Sequence, residues 1–504
     1  MQLNLMLTYL GQPYVVNGKE CKSAGDSLHD ACPEADVKDV CSDSSKVTPG
    51  AMFVAIKGFT ADGHDYIPDA VARGAIVIMS QKEVPVPDGV ILVVVANTRE
   101  GLSAVAGAFY DFPADKMTMV GITGTNGKTT TANLCASMLM AAGRNVGVIT
   151  TIDWRFNGKT HPSLMTTPDA LELQRGLAQM YRAGVTHVVM EVSSHAIDQA
   201  RIAHCFFDVA AFTNLSQDHL DFHGSMAAYG EVKKRLFTDY LRRMPKGPGA
   251  VAVVNVTHPY GRELFDDIIK PKLSVAVGQK ADVAFESVCA DLEGIKARVD
   301  TPRGRLFVES ALIGAYNQEN LALAAGVGLA LNLSDDEIIK GLSGLSQVKG
   351  RLERVPTGQG FSVFVDYAHT PDALENVLKT LQELKPRRLL CVFGCGGNRD
   401  KAKRPLMGGI AVKYSDVAVV TSDNPRNEEP LDIINDILAG ISPETDFVVE
   451  PDRAAAIQLA IARAGGGDIV LIAGKGHEDY QIIKGEKFHF DDVEQARLAV
   501  GRKA

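Results

Sequence analysis

The stretch Met117 to Thr131 reads MTMVGITGTNGKTTT: a short apolar run, a glycine-rich turn ending in Gly-Lys-Thr, and the start of a helical pattern. Backbone N–H groups converge on an anion only where glycines let the chain turn without a Cβ clash. A helix beginning at Lys128 adds its own unpaired donors and its dipole. The stretch reads as a phosphate cradle built from Gly124, Thr125, Asn126, Gly127, Lys128, Thr129 and Thr130. Lys128 offers a point charge for the β- and γ-phosphates of a nucleotide, and the hydroxyl of Thr129 a ligand for Mg²⁺. The match to the general P-loop pattern is incomplete, because Ile122 stands where the pattern has its first glycine. The strand before the turn and the helix after it support the reading, and a strand–cradle–helix unit predicts an α/β fold with a mainly parallel sheet.

Around the cradle, 504 residues with 46% hydrophobic content give room for about three domains of the usual size. The formal charge of −9 is spread over mixed acidic and basic residues, so no electrostatic footprint for nucleic acid or an anionic membrane stands out. Phosphate must then be captured locally. MQLNLMLTYL at the start has neither a basic n-region nor a cleavage signal, and the longest apolar run, Val90 to Ala96, is far too short to span a bilayer. The expected compartment is the cytoplasm. Eight cysteines, including Cys391 and Cys395 around a glycine turn, show no CxxC pair and no Cys/His zinc spacing, and read as reduced, packed thiols.

Apolar runs alternate with helical patterns in three blocks. Residues 1–112 contain Ala51 to Ile56, Ala75 to Met79 and Val90 to Ala96, as in a small α/β unit, with Pro113 as a linker. Residues 113–348 open with the cradle and continue through His187 to Glu191, Val209 to Thr213 and Val251 to Asn255. Residues 349–504 repeat the alternation with Phe361 to Asp366, Leu389 to Phe393, Val417 to Thr421 and Ile469 to Ala473. In parallel sheets ligands sit beyond the carboxyl ends of the strands. There the chain carries EVSSHAIDQAR, NLSQDHLDFHG, DYAHTPDAL, GCGGNRDKAKRP, SDNPRNEEP and GKGHEDYQ. Each alone reads equally as a capped turn; six together read as a site.

TGTNGKTT, EVSSHAID, DHLDFHG, GRLERV, VDYAHTPDAL, GCGGNRDKAKRP, SDNPR and AGKGHE, in this order, resemble the Mur ligases. CSDSSKVTPGAMFVAIKGFTADGHDYI is similar to that family's uridine-nucleotide-binding segment, so the likeness covers nearly the whole chain. The resemblance implies a three-domain architecture: a uridine-substrate domain over 1–112, an ATP-binding P-loop domain over 113–348, and a Rossmann-like domain over 349–504 for an incoming amino acid. It implies an ATP-dependent amide ligase with Mg²⁺ that works through an acyl phosphate. The implied substrates are UDP-N-acetylmuramoyl-L-alanyl-D-glutamate and meso-2,6-diaminopimelate, and a monomer is expected.

Carried over residue by residue, the likeness implies that Thr129 and Glu191 hold one magnesium while Glu191, His219 and Lys233 gather round a second. Lys233 does so as a carbamate formed with CO₂, which needs a deprotonated amine. Lys128, Glu191, His219 and Lys233 are thus the implied catalytic set, and Asn320, Arg351 and Asp366 the contacts to base, phosphates and ribose. For the uridine substrate the matching positions are Ser44, Thr166, Thr167, Ser193, Gln199 and Arg201, although Ser45 stands where the family's DSR-like motif has arginine. For the amino acid they are Arg399, Asp423, Asn424, Pro425, Arg426, Gly474 and Glu478. A distal carboxylate calls for a planar cation gripping it in two bonds, which Arg426 supplies. Read as a plain turn arginine, Arg426 leaves the amino acid open. Lysine, or the substrate of another amide ligase such as a folylpolyglutamate synthase, is then the alternative.

Overall fold

A computed structural model describes residues 1–21, 33–58, 61–163, 165–241, 249–269 and 271–503. Cys32 and part of the uridine-type segment, residues 59–60, lie outside them.

Three α/β layers follow one another along the chain. The first is a six-stranded sheet in the order Lys19–Cys21, Tyr14–Val16, Ile91–Val95, Val77–Ser80, Ala51–Val54, Asp39–Cys41. Its last four strands are parallel, and Tyr14–Val16 joins antiparallel to Ile91–Val95. Pro113 does not act as a solvated linker. It opens a short 3-10 turn, Pro113–Lys116, in which Pro113 and Ala114 are buried, and Phe112 before it stacks at 4.6 Å on Tyr9.

The second sheet has eleven strands. At its centre Thr118–Thr123 lies between His187–Glu191 and Val209–Phe212, all parallel, with Val120 opposite Val189 on one side and Val209 on the other. Successive residues of the central strand face opposite ways: Val120 and Ile122 pack with Leu134, Met138 and Leu321 of the helices Lys128–Ala141 and Ala315–Ala330. Met119 packs with Leu173, Leu177 and Leu236 of Ala170–Arg182 and Met226–Thr238. Gly121 lets the Phe207 ring close on the strand, since a Cβ there would lie 2.7 Å from it. This parallel centre matches the expectation. The flanks do not: Asp153–Phe156 and Lys159–Pro162 form an antiparallel edge, and Val283–Asp291, Gly294–Thr301 and Gly304–Ser310 an antiparallel wing.

The third sheet runs Glu353–Val355, Ser362–Asp366, Ile469–Ala473, Leu389–Phe393, Val417–Val420, Phe447–Val449, parallel except for the first strand. Its middle strands are buried along their whole length, as apolar runs covered on both faces must be. No helix among the described residues is long and apolar enough to cross a membrane. Cys21, Cys41, Cys135, Cys205, Cys391 and Cys395 are buried thiols, while Cys289 is exposed.

Candidate active site at the carboxyl ends of two sheets

The cradle leaves the end of the central strand Thr118–Thr123 and enters the helix Lys128–Ala141 at Lys128. Both of its glycines are obligatory. Gly124 (φ +142°) would place a Cβ 1.8 Å from Thr213 Oγ1, and Gly127 (φ +84°) one 2.3 Å from Asn320 Oδ1. The loop rests on the end of the neighbouring strand: Thr125 N donates to Asn214 O (2.9 Å) and Asn126 N to Asn214 Oδ1 (3.0 Å). Lys128 folds back, its Nζ donating to the carbonyls of Gly124 (3.0 Å) and Thr125 (2.7 Å). Burial pulls this amine below the ordinary lysine range, against the attraction of Glu191 and Asp218.

Glu191, at the end of the adjacent strand and 1% exposed, accepts from Thr129 Oγ1 (2.8 Å), Thr151 N (2.9 Å) and Thr151 Oγ1 (3.1 Å). A carboxylate and a hydroxyl meeting directly behind a phosphate cradle are the hard oxygen donors that Mg²⁺ takes, so these residues fit that ion. Lys233, 1% exposed, donates to Gly124 O (2.8 Å) and lies 4.3 Å from the Tyr229 ring centroid. Burial, with the charge of Lys128 beside it, drives this amine well below the ordinary lysine range. His219, in the left-handed region (φ +55°), faces Asp218 at 3.4 Å and stacks edge-on against His195 at 4.8 Å. Burial lowers its basicity, and Lys128 and Lys233 add to the effect. Glu191, His219 and Lys233 therefore border one cradle, each with a different partner. Among the described residues no three His, Cys, Asp or Glu side chains stand ready around a single ion.

The third layer reaches over this cradle. Arg351 lies 4.6 Å from the Tyr367 ring and donates Nη2 to Thr129 Oγ1 at 3.4 Å. Asp372, at the start of the helix Pro371–Glu383, accepts from Asn126 Nδ2 (3.2 Å) and Ser216 Oγ (2.9 Å). Asn320 sits beneath the loop, accepting from Thr131 Oγ1 (3.3 Å) and donating to Asn317 Oδ1 (2.8 Å). Asp366 turns its oxygens to the amides of Leu352 (2.7 Å) and Ala368 (2.9 Å), and burial raises its pKa.

Of the residues matched to the uridine substrate, Thr166, Thr167, Ser193, Gln199 and Arg201 come together beside Glu191, whereas Ser44 stands apart in the first layer. Thr166 accepts from Thr151 Oγ1 (3.1 Å), and Thr167 Oγ1 bridges Glu191 O (2.8 Å) and Ser193 N (3.0 Å). Ser193 caps the helix Ser194–Asp198, and Arg201 donates to Gln199 Oε1 (2.7 and 3.1 Å) and Thr167 O (2.8 Å). Ser44, buried in the first layer, hydrogen-bonds the Asp69 carboxylate and holds it below the usual carboxylate range.

The segments SDNPR, GCGGNRD and GKGHED meet at the end of the third sheet. Asn424 donates to Glu478 Oε2 (2.8 Å) and accepts from Ile482 N (2.9 Å) and Lys475 Nζ (3.2 Å). Burial would raise Asp423, but Lys475 and Arg453 outweigh it and keep the carboxyl low; burial and Asp423 raise Glu478. Gly474 (φ +118°) would set a Cβ 2.8 Å from Asp423 Oδ2. Pro425 is buried, Arg426 (φ +54°) donates Nη1 to Gly397 O (2.7 Å), and Arg399 is exposed. Sequence reading passed over Thr151, Asp218, Asp372, Arg404 and the fully buried Lys475. Of these only Asp218, Asp372, Arg404 and Lys475 lie in segments already quoted, and nothing in their spacing marks their partners.

A strand–cradle–helix unit on a mainly parallel sheet, touched by Arg351 and Asp372 of a further α/β layer that carries its own charged cluster, has the architecture of a P-loop protein. Three family models match: "Mur ligase family, catalytic domain" over residues 36–110, "Mur ligase middle domain" over 122–328, and "Mur ligase, glutamate ligase domain" over 350–476. A UDP-N-acetylmuramoyl-L-alanyl-D-glutamate–2,6-diaminopimelate ligase of Geobacter metallireducens is 44% identical over 501 residues, covering 96% of each chain. A solved structure of a ligase of the same name aligns with TM-score 0.66 at 32% identity over 93% of this chain and 95% of that one. MurF of Thermotoga maritima, solved with ADP, shares the fold alone (TM-score 0.64, 20% identity, 93% and 98% covered). The chain belongs to the Mur ligase family and is a ligase.

Proposed function

We propose that the protein joins meso-2,6-diaminopimelate to the γ-carboxylate of the D-glutamyl residue of UDP-N-acetylmuramoyl-L-alanyl-D-glutamate. ATP drives the step through an acyl phosphate, in cytoplasmic synthesis of a peptidoglycan precursor. Residues 1–112 take the uridine end, 113–348 the nucleotide and 349–504 the amino acid. The substrate names are those borne by relatives such as the Geobacter metallireducens ligase. The observation that carries the reading is the convergence of Arg351 and Asp372 from the third layer on the cradle of the second.

A carboxylate is a poor acyl donor, so its oxygen first attacks the γ-phosphorus of ATP. Two anions approach each other in that step, and Lys128 and Arg351 offset their repulsion. Thr129 and Glu191 would hold Mg²⁺, which supplies charge neutralisation when bound. Lys233, buried and with its amine held well below the ordinary lysine range, is the residue suited to combine with CO₂, releasing a proton to solvent, to give a carbamate beside His219. The amine of the amino acid then attacks the acyl carbon and phosphate leaves. Arg426 and Arg399 bind the distal carboxylate, while Asp423, Asn424 and Glu478 receive the distal ammonium.

Purified protein supplied with ATP and Mg²⁺ should release ADP only when the uridine dipeptide and meso-diaminopimelate are both present. Equal turnover with L-lysine in place of the diamino diacid would overturn the amino-acid assignment.

A further inference from the structure

Two of the three loops that make the amino-acid pocket follow neighbouring strands. Residues 394–400 follow Leu389–Phe393 and carry Arg399; residues 421–428 follow Val417–Val420 and carry Asn424 and Arg426. Among the described residues neither Arg399 nor Arg426 is in an ion pair within 4 Å; Arg426 Nη1 is held by the Gly397 carbonyl of the first loop (2.7 Å), with the charge of Glu478 nearby.

An ion pair with one fully buried member, Arg404, ties the loops together instead. Arg404, in the first turn of the helix Lys403–Tyr414 and 0% exposed, grips Glu428 fork to fork, Nη1 to Oε2 and Nη2 to Oε1, both at 2.9 Å. The same guanidinium donates to Gly396 O in the first loop (3.3 Å) and to Asp436 Oδ2 (2.8 Å). Glu428, from the second loop, also accepts the backbone amide of Asn398, and Asn398 Oδ1 accepts Asn427 N (3.1 Å). Between the loops there is no slack. A Cβ on Gly397 would lie 1.9 Å from Pro425 O, and one on Gly396 would lie 2.9 Å from Arg426 Nη1. Burying an arginine costs more than packing an apolar side chain of similar size, so stability alone is a weak reason for the pair. Most of its bonds end on the two loops that carry the substrate-facing arginines.

We propose that Arg404 and Glu428 are positioning residues that set the spacing and aim of Arg399 and Arg426, and through them the preference for an amino acid with a distal carboxylate. The proposal rests on the amino-acid assignment made above.

Steady-state kinetics of the full chain test it, with thermal melting measured alongside. Glu428→Gln keeps the shape and removes the charge. The double variant Arg404→Met/Glu428→Gln leaves no unpaired buried charge. Asn398→Gly, at an exposed site with φ +51°, keeps the left-handed backbone and removes the bond to Asn427. In the double variant KM for meso-diaminopimelate should rise about tenfold or more, because a small misplacement of binding groups is costly. Its kcat/KM preference over L-lysine should fall, while KM for ATP and for the uridine dipeptide stays within about twofold. Glu428→Gln and Asn398→Gly should move the same two quantities in the same direction. Any folded variant that only melts earlier, with wild-type KM for the diamino diacid and wild-type preference, would overturn the proposal. Asn398→Gly supplies that comparison should the pair variants not fold. A wild-type enzyme that consumes no ATP with the diamino diacid would instead refute the underlying assignment.

Discussion

Lys233 combines a buried position with, among the described residues, one hydrogen bond to a backbone carbonyl, the face of the Tyr229 ring and a second amine close by. A charged ammonium is poorly served there, whereas a neutral amine able to capture CO₂ is well served. Lys233→Arg, which stays charged and cannot form a carbamate, should lower kcat for ADP release by about 100-fold or more, as loss of charge placement at a phosphoryl-transfer site does. Near-normal kcat would remove the carbamate from the account. Arg426→Ala should cost about 2 to 4 kcal/mol in transition-state binding of the diamino diacid, or ~30-fold to ~1000-fold in kcat/KM. Isothermal titration of the uridine dipeptide should be unaffected by it. Lys128 stood out in the sequence because it closes a glycine-rich turn between an apolar run and a helical pattern, and Glu191 and Arg426 because their segments resemble those of the Mur ligases. Lys475 and Arg404 did not, because their partners Asn424 and Glu428 are remote in sequence and burial is set by the fold.

At the scale of elements, the parallel strands were legible because covered strands are continuous apolar runs: His187–Glu191, Val251–Asn255, Leu389–Phe393 and Ile469–Ala473 end where the sequence says they should. The wing Val283–Asp291, Gly294–Thr301, Gly304–Ser310 was not. One of its faces meets water, so Glu286, Lys296 and Arg305 interrupt the apolar pattern, and long-range antiparallel pairing holds it together. The cradle makes the sharpest element-level prediction. Gly124→Ala must fit a methyl group against the Thr213 hydroxyl in a backbone region that L-residues avoid. Loss of measurable ADP binding by titration is expected; wild-type affinity would mean the loop can rearrange and is not the phosphate site.

At the scale of the whole molecule, two half-buried histidines and one ion-paired carboxylate shape its response to acid. Burial lowers His195 to about 4 and His477 to about 3, and Arg404 with the Asn398 amide holds Glu428 at about 2. Each folded-state pKa lies below its unfolded value, so the unfolded chain binds more protons. The stabilisation is complete above about pH 6.5 for the histidines and about 4.5 for Glu428, and is lost as pH falls toward 3 and 2. The melting temperature should therefore fall steadily below pH 6.5. A flat profile down to pH 4 would contradict the burial of the two histidines. Asp372 joins the third layer to Asn126 and Ser216 beside the cradle.

The proposed reaction turns on one chemical event, transfer of the terminal phosphoryl of ATP to a carboxylate oxygen. It is tested most directly by labelling both oxygens of the D-glutamyl γ-carboxylate with ¹⁸O and analysing the phosphate released in a complete reaction. One labelled oxygen is expected in each phosphate, because the bridging oxygen leaves with phosphorus when the amine attacks. Unlabelled phosphate formed together with the amide product would contradict it.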